Sequence, residues 1–490
     1  MLKRVPKIRS SFWAMNAHGV GIHCPAPGTP RKHATNDALL SLFHPPNIFL
    51  SVFYFLFRSF ALPLQQIDCT RQSENKFSLR SPALSMKKET TNKEMNTISP
   101  FAHPLYVMLK PAGAACNLHC EYCYYLEKEG LYANGEHQNM DDATLEKFTR
   151  SYIEAQIQQD VLFTWHGGEP LLRPISFYEH ALQLQRKYAD NHRIDNCIQT
   201  NGTLITEEWA RFFHDNGFLV GVSIDGPQAV HDRYRKDNRG KGSFERVLRG
   251  IEWLNKHDVM WNAMAVVNSV NVTQPVEFYR FFKSIGCHYL QFTPIVERIV
   301  DGRLANIGDR PEDCRLTSMS VTPEQWGSFA CAVFDEWRKH DIGEYFVQLF
   351  DATLANWCGV EPGVCSLSRN CGNALALERN GDLYACDHFV FPEYKLGNIH
   401  EQPIAAMGFG KMQNRFRRMK LALPRQCRMC SWRFACHGEC PKNRFAVSAD
   451  GEPGLNYLCR GYRQFFAHVA PYMEKMKQAI ADGGSAADIM

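Results

Sequence analysis

CNLHCEYCYY, residues 116–125, sets Cys116, Cys120 and Cys123 directly after a short apolar run. Three thiolates at this spacing hold three irons of a [4Fe–4S] cube. The fourth iron is left open to a substrate or cofactor, so such a cluster is suited to chemistry as well as to scaffolding. Two other readings share the spacing: a zinc site completed by a histidine such as His119, and plain structural thiols. Downstream, Gly167-Gly168-Glu169-Pro170 follows the strand-like VLFTWH of 161–166. Taken alone, Gly-Gly before Pro marks only a turn.

Around this stretch six strand-like runs alternate with amphipathic helical patterns. The runs are 104–110, 161–166, 196–200, 218–225, 261–268 and 289–296. Leu145, Phe148, Tyr152 and Ile153 repeat at helical spacing, as do Phe244, Val247, Leu248, Ile251 and Leu254, and then Phe278, Phe281, Phe282 and Ile285. Asp141 and Asp142 are suitable helix starts, with carboxylates near the positive end of the dipole. Alternation of this kind predicts parallel strands with right-handed crossovers and a site at the strands' carboxyl ends. The triad, Gly167-Gly168, Asn201-Gly202 and Asp225-Gly226-Pro227 all fall at such ends. Periodicity leaves a partial barrel and an open doubly wound sheet both standing.

The 490 residues, 45% apolar and 22% charged, suffice for two or three domains. A net charge of +4 gives no reason to expect nucleic acid or an anionic membrane as partner. The 18 cysteines, in a chain without secretory character, favour metal binding over disulfides and place it in a reducing cytoplasm. The N-terminal stretch lacks periodicity apart from an aromatic-rich run at 47–64, broken by Arg58 and Pro63. That run is short for a membrane span. We read the segment as an over-extended gene model with a start at Met86 or Met95, the alternative being a marginal membrane anchor.

A second constellation lies beyond 360. Cys365, Cys371 and Cys386 precede Cys427-x2-Cys430-x5-Cys436-x3-Cys440, and Cys459 follows. These are two sets of four, which by spacing are either zinc ribbons or two cubane clusters. Cysteines 24, 69, 197, 287, 314, 331 and 358 show no pairing and read as ordinary thiols.

Together the triad and GGEP resemble the signature of the radical S-adenosylmethionine (SAM) enzymes, and C-x2-C-x5-C-x3-C resembles their SPASM extension. The resemblance narrows to the anaerobic sulfatase-maturating enzymes over nearly all of 104–470, through CNLHCEYCYY, GGEP, QTNGTLI, VGVSIDGPQAVHDRYR, CGNALALERNGDLYACDHFV and CRMCSWRFACHGECPKNRF. It implies an α/β fold, a partial (β/α)6 radical SAM barrel followed by a small iron–sulfur-rich SPASM domain. The expected segments are a disordered or over-extended 1–98, a barrel over 99–320, a helical connector over 321–360, a cluster domain over 361–475 and a flexible tail over 476–490. The implied cofactors are SAM and three [4Fe–4S] clusters. Cys116, Cys120 and Cys123 would hold the first. Cys365, Cys371, Cys386 and Cys440 would hold the second, and Cys427, Cys430, Cys436 and Cys459 the third.

The implied reaction oxidises a Cys or Ser of a sulfatase polypeptide to Cα-formylglycine after a 5′-deoxyadenosyl radical removes a Cβ hydrogen. Asp387 matches the family's catalytic aspartate, with burial expected to raise its pKa into the range of a useful base. Implied SAM contacts are Tyr122 on adenine, Gly167, Gly168 and Glu169 around the methionyl amine, Ser223 and Arg235 on ribose or carboxylate, and Val296 by its backbone. Tyr125 is a candidate substrate contact. The implied partners are an unfolded or nascent sulfatase chain and an electron donor such as a flavodoxin or ferredoxin. Rival readings are another SPASM peptide maturase forming thioether or carbon–carbon crosslinks, a non-catalytic iron–sulfur regulator and a zinc-ribbon interaction protein.

Overall fold

A computed structural model describes residues 104–132, 139–305, 309–372 and 374–490. The expectations for 1–98, including the alternative starts and the apolar run at 47–64, lie outside these residues. Among the described residues no helix is long and apolar enough to cross a membrane.

All six predicted runs form strands: β1 (Tyr106–Leu109), β2 (Asp160–Trp165), β3 (Arg193–Thr200), β4 (Leu219–Ser223), β5 (Trp261–Val267) and β6 (Tyr289–Pro294). They pair in parallel in sequence order. Helices α1 (Asp142–Glu154), α2 (Ile175–Tyr188), α3 (Glu207–Asp215), α4 (Gln228–Tyr234), α5 (Phe244–Lys256) and α6 (Pro275–Ser284) make the crossovers. Val107, Phe163, Val220 and Ala263 are inaccessible to solvent, as strands covered by helices require. Helix α1 begins as predicted: the Asp141 carboxylate accepts the Thr144 amide at 2.7 Å, and Leu145, Phe148, Tyr152 and Ile153 are buried. This is the partial (β/α)6 barrel.

The end of the span expected to be barrel and the expected helical connector after it are more varied. A small sheet of β7 (Arg298–Val300), β8 (Arg303–Leu304) and β9 (Arg315–Leu316) follows the barrel. Helix α7 (Pro323–Trp337) starts in a capping box between Thr322 and Gln325. The two-residue strand β10 (Phe346–Val347) then pairs parallel with β6, before α8 (Gln348–Trp357). A strand that short has no alternation to read, which is why the sequence showed only helices.

The cluster region is not a separate body hung on a linker. Its strand β11 (Ala374–Leu377) pairs parallel with β1, in the register Tyr106 with Ala374 through Leu109 with Leu377. Antiparallel β12 (Asp382–Tyr384) and β13 (Lys395–Asn398) extend the same sheet to ten strands. The expected flexible tail is also corrected. Helix α9 (Cys459–Ala481) runs well past 476, with Met473, Met476 and Ile480 buried at helical spacing, and a short 3-10 turn (Ala486–Ile489) packs back on it. Helices α7 and α9 approach closely at Gly327 and Gly461; a Cβ on Gly461 would lie 2.2 Å from the Pro323 carbonyl oxygen.

Leu375, fully buried where β11 meets β1, joins the two regions. Leu375→Ala is expected to cost about 2–5 kcal/mol. Urea denaturation followed by tryptophan fluorescence and by iron release should show both probes shifting together, because one sheet carries both.

Candidate active site

The turn after β2 is stitched to the segment that leads into the cysteine triad. The Gly168 amide donates to the Gly113 carbonyl and the Glu169 amide to the Ala115 carbonyl, both at 2.8 Å. A Cβ on Gly168 would lie 2.2 Å from the Ala115 oxygen and 2.4 Å from the Ala114 oxygen, so no larger residue fits. Gly167 sits at φ +136°, in the region that favours glycine.

Glu169 is fully buried beneath this turn. Its carboxylate accepts the Leu171 amide (2.9 Å), the Thr200 hydroxyl (2.8 Å) and the Asn201 amide (2.8 Å). Burial, opposed by these hydrogen bonds, pushes its pKa up to about 7. The Glu169 side chain thus braces the ends of β2 and β3. Asn201, which it positions, donates to Asn117 Oδ1 at 2.8 Å and reaches Cys116 Sγ at 3.7 Å.

Cys116, Cys120 and Cys123 converge closely enough to act on one another. Burial first, then the Glu169 carboxylate and after it the neighbouring thiols, pushes Cys116 up to about 12; burial and Cys123, opposed by Arg235, push Cys120 up to about 11. His119, the nitrogen a zinc site would have used, is exposed. Arg235 is not a solvated surface charge: it is buried, with Nε donating to Asp225 at 3.0 Å. The Tyr122 hydroxyl and the Val266 amide donate to the same carboxylate, and the Arg235 guanidinium stands 5.4 Å from the Tyr122 ring centroid. Arg235 thus spends its Nε on Asp225, a pairing the sequence did not reveal. Ser223, ending β4, accepts from Gln199 Nε2 at 3.1 Å.

None of the eight further cysteines forms a disulfide. They fall into two groups by mutual influence. Cys386 feels Cys365 and Cys440, and Cys440 feels Cys365 and Cys371. Cys436 feels Cys459 and Cys427, and Cys459 feels Cys427 and Cys430. Burial pushes Cys371 up to about 11 against the pull of Lys420, and Cys436 up to about 12 against a hydrogen bond from the Gly438 amide; burial and the neighbouring Cys427 and Cys430 push Cys459 up to about 11. Buried thiols that oppose one another's ionisation need a cationic centre to become thiolates, and a coordinating metal deprotonates them outright. This donor set fits iron–sulfur clusters.

The ends of β1, β2 and the segment after β12 bring together a second set of groups. Lys110, inaccessible to solvent, forms an ion pair with Asp387 and meets His166 Nδ1 at 3.1 Å. The Gly167 amide donates to that same Nδ1 at 2.8 Å, so Nδ1 is unprotonated. Burial first, then Lys110, holds His166 down at about 4. The Tyr124 hydroxyl donates to the other Asp387 oxygen. Burial works to raise the Asp387 pKa, but Lys110, His166 and His388 outweigh it and hold the group well below the usual carboxylate range. The expected raised pKa is therefore corrected: Asp387 is an ionised, paired carboxylate.

Tyr125 lies beneath Lys110, whose Nζ is 4.3 Å from the ring centroid, and its hydroxyl donates to Glu378. It is Tyr124, not Tyr125, that lines the adjoining cavity, together with Lys128, Val296, Glu297, His388 and Lys442. Lys110, Tyr124 and His166 were missed from sequence. The available signals were a lysine closing the apolar run of β1 and a histidine immediately before Gly167-Gly168.

A parallel barrel with a cysteine triad after its first strand, joined in one sheet to a cysteine-rich region, defines a radical SAM enzyme with an additional cluster domain. Residues 111–282 match the profile of the radical SAM superfamily and 365–431 that of an iron–sulfur cluster-binding domain. The chain is 59% identical, over 80% of its length and 96% of the relative's, to a serine-type anaerobic sulfatase-maturating enzyme of Bacteroides thetaiotaomicron. It is 32% identical to a cysteine-type enzyme of Clostridium novyi, over 74% of this chain and 94% of that one. A solved structure described as native anSMEcpe with bound AdoMet and Cp18Cys peptide matches with a TM-score of 0.69 at 29% identity, covering 77% of this chain and 99% of that one. The chain belongs to the anaerobic sulfatase-maturating enzymes. It is an oxidoreductase whose cofactors are SAM and [4Fe–4S] clusters.

Two measurements test the turn. Gly168→Ala is expected to destabilise the fold by about 1–3 kcal/mol, read by chemical denaturation. Glu169, with its folded pKa above the carboxylate value of 4.5, stabilises most when protonated. Its contribution is full below about pH 4.5 and is lost as pH rises through about 7. Glu169→Gln should flatten this part of the stability–pH curve.

Proposed function

We propose that this enzyme converts a serine in an extended sulfatase segment to Cα-formylglycine. The observation that carries the reading is the buried Asp387–Lys110–Tyr124 cluster beside the triad, one hydrogen bond behind the cavity wall at Tyr124. The preference for serine is supported by the 59% identical relative named as serine-type.

In this reading Cys116, Cys120 and Cys123 hold the first cluster. Cys365, Cys371, Cys386 and Cys440 hold a second, and Cys427, Cys430, Cys436 and Cys459 a third. The backbone at Gly167 and Gly168 receives the methionyl amine of SAM. Tyr122, Ser223, Arg235 and Val296 surround its nucleoside and carboxylate. When bound, SAM and the clusters supply a carbon radical that removes hydrogen from substrate Cβ and an outlet for the second electron.

The protein's own part is to place the peptide and move one proton. The substrate approaches Asp387 past the small cavity lined by Tyr124, Lys128, Val296 and His388, beside which Lys442 is ion-paired with Glu297. A serine hydroxyl is far too weak an acid for Asp387 at the outset. Once the Cβ hydrogen and an electron have gone, the proton belongs to a protonated aldehyde, a much stronger acid than a carboxylic acid. An ionised carboxylate of low pKa then suffices to accept it. Lys110 keeps Asp387 ionised and fixes its position. Tyr125 acts from beneath Lys110. The polypeptide is unfolded or nascent, the electron donor a flavodoxin or ferredoxin, and the compartment the cytoplasm.

The test is anaerobic incubation of reconstituted enzyme with SAM, dithionite and matched peptides bearing Ser or Cys at the target, read by peptide mass. Loss of two hydrogens from the Ser peptide, faster than conversion of the Cys peptide, is expected. Deoxyadenosine formation with both peptides unchanged would overturn the reading. Asp387→Ala should keep its iron content and SAM cleavage while losing at least about 100-fold in peptide oxidation.

A further inference from the structure

Residues 411–434 contain eight Lys or Arg and no Asp or Glu, in a chain whose net charge is only +4. Lys411, Arg415 and Arg418 are exposed at i, i+4 and i+7 on the helix Lys411–Met419, opposite buried Gln413 and Phe416. Among the described residues, no ion pair to a carboxylate engages any of the three. The basic run continues into the loop that carries Cys427 and Cys430. There Arg428 donates to the Leu423 carbonyl at 2.6 Å, tying the loop together, and reaches Glu452 only at 3.8 Å. Between the two cysteines stands Met429, 78% exposed, with Leu421 and Phe434 also exposed. An exposed methionine between two cysteines, in a loop that also carries the exposed Arg425 and Arg428, has the make-up of a small docking face: an apolar centre with a charged rim.

We propose that this face docks an acidic one-electron carrier protein, a flavodoxin or ferredoxin, beside Cys427 and Cys430. The inference rests on the radical SAM oxidation proposed above. Conversion of a primary alcohol to an aldehyde removes two hydrogens. One leaves as a hydrogen atom to the deoxyadenosyl carbon; the other leaves as a proton and an electron. One electron is also consumed in cleaving each SAM, so a carrier that gives one electron and takes one back balances the cycle. Electron tunnelling weakens steeply with distance, which favours contact beside the half-buried Cys427 and Cys430, where the exposed Met429 brings the surface next to both. Complementary charge speeds the encounter without demanding a large interface, as transient electron-transfer partners require. The first 103 residues, richer in Lys and Arg than in Asp and Glu, lack the charge to cover this face themselves.

The test uses the reconstituted full chain. Binding of an acidic flavodoxin and of a ferredoxin is measured anaerobically by calorimetry at two salt concentrations. Two variants are compared: the triple variant Lys411→Glu, Arg415→Glu, Arg418→Glu, and Met429→Ser. The triple variant is expected to weaken carrier binding by about tenfold or more and to abolish its salt dependence. Met429→Ser should weaken binding without changing the salt dependence. Both should oxidise peptide normally with dithionite and slowly with carrier. Carrier affinity equal to wild type in both variants overturns the proposal, as does charge-dependent binding of RNA or anionic vesicles by wild type with no carrier binding. Failure of wild type to oxidise peptide even with dithionite would instead overturn the functional reading on which the docking proposal rests.

Discussion

The parallel ladder between β1 and β11 is the constraint on which the rest of the molecule depends. It joins the strand that leads into the triad to the strand that leads toward Cys386 and Asp387. Because the register is fixed from Tyr106–Ala374 to Leu109–Leu377, Lys110 and Glu378 emerge side by side just past the ladder, and the Lys110 amide bonds to the Leu377 carbonyl at 2.9 Å. A slip of one residue would turn every side chain of β11 to the other face. The active site is thus assembled across a hydrogen-bonded seam, with no flexible hinge between the barrel strand and the cluster-domain strand.

Burial makes charge the second organising problem. Desolvation opposes ionisation of every acid and thiol in the site, so each charge that survives needs a partner. Asp225 has Arg235 and Asp387 has Lys110, while Glu378 takes hydroxyls from Tyr125 and Tyr132. Lys110 serves several groups at once: it neutralises Asp387, faces His166 and covers the Tyr125 ring. The cysteines lack such partners among side chains, apart from scattered help from Arg235, Lys420 and Arg444. Their need for positive charge is what clusters satisfy.

The barrel was legible because its signals are local and repeated. Leu145, Phe148 and Tyr152 recur at helical spacing, and the strands are short apolar runs between such helices. The cysteines beyond 360 were legible as metal ligands because their spacing and type are written in sequence, while their division into two sets came from the family resemblance. Strand β10 escaped notice because two residues carry no period, and the continuation of the tail as helix because Met473, Met476 and Ile480 gain meaning only against the core they pack on.

The sequence by itself determined the alternation of strand and helix and the motifs that carry the family, since these depend on residue type at short spacing. The tertiary structure alone decided the state of Asp387. Its carboxylate could have been a raised, protonated acid or a paired anion, and only the arrival of Lys110 from a strand far away in the chain made it the anion. It likewise decided that Glu169 is a brace and that Arg235 belongs to Asp225. In each case the outcome is set by which charge lies a few ångströms away in a desolvated interior, and that distance is fixed by packing between remote segments.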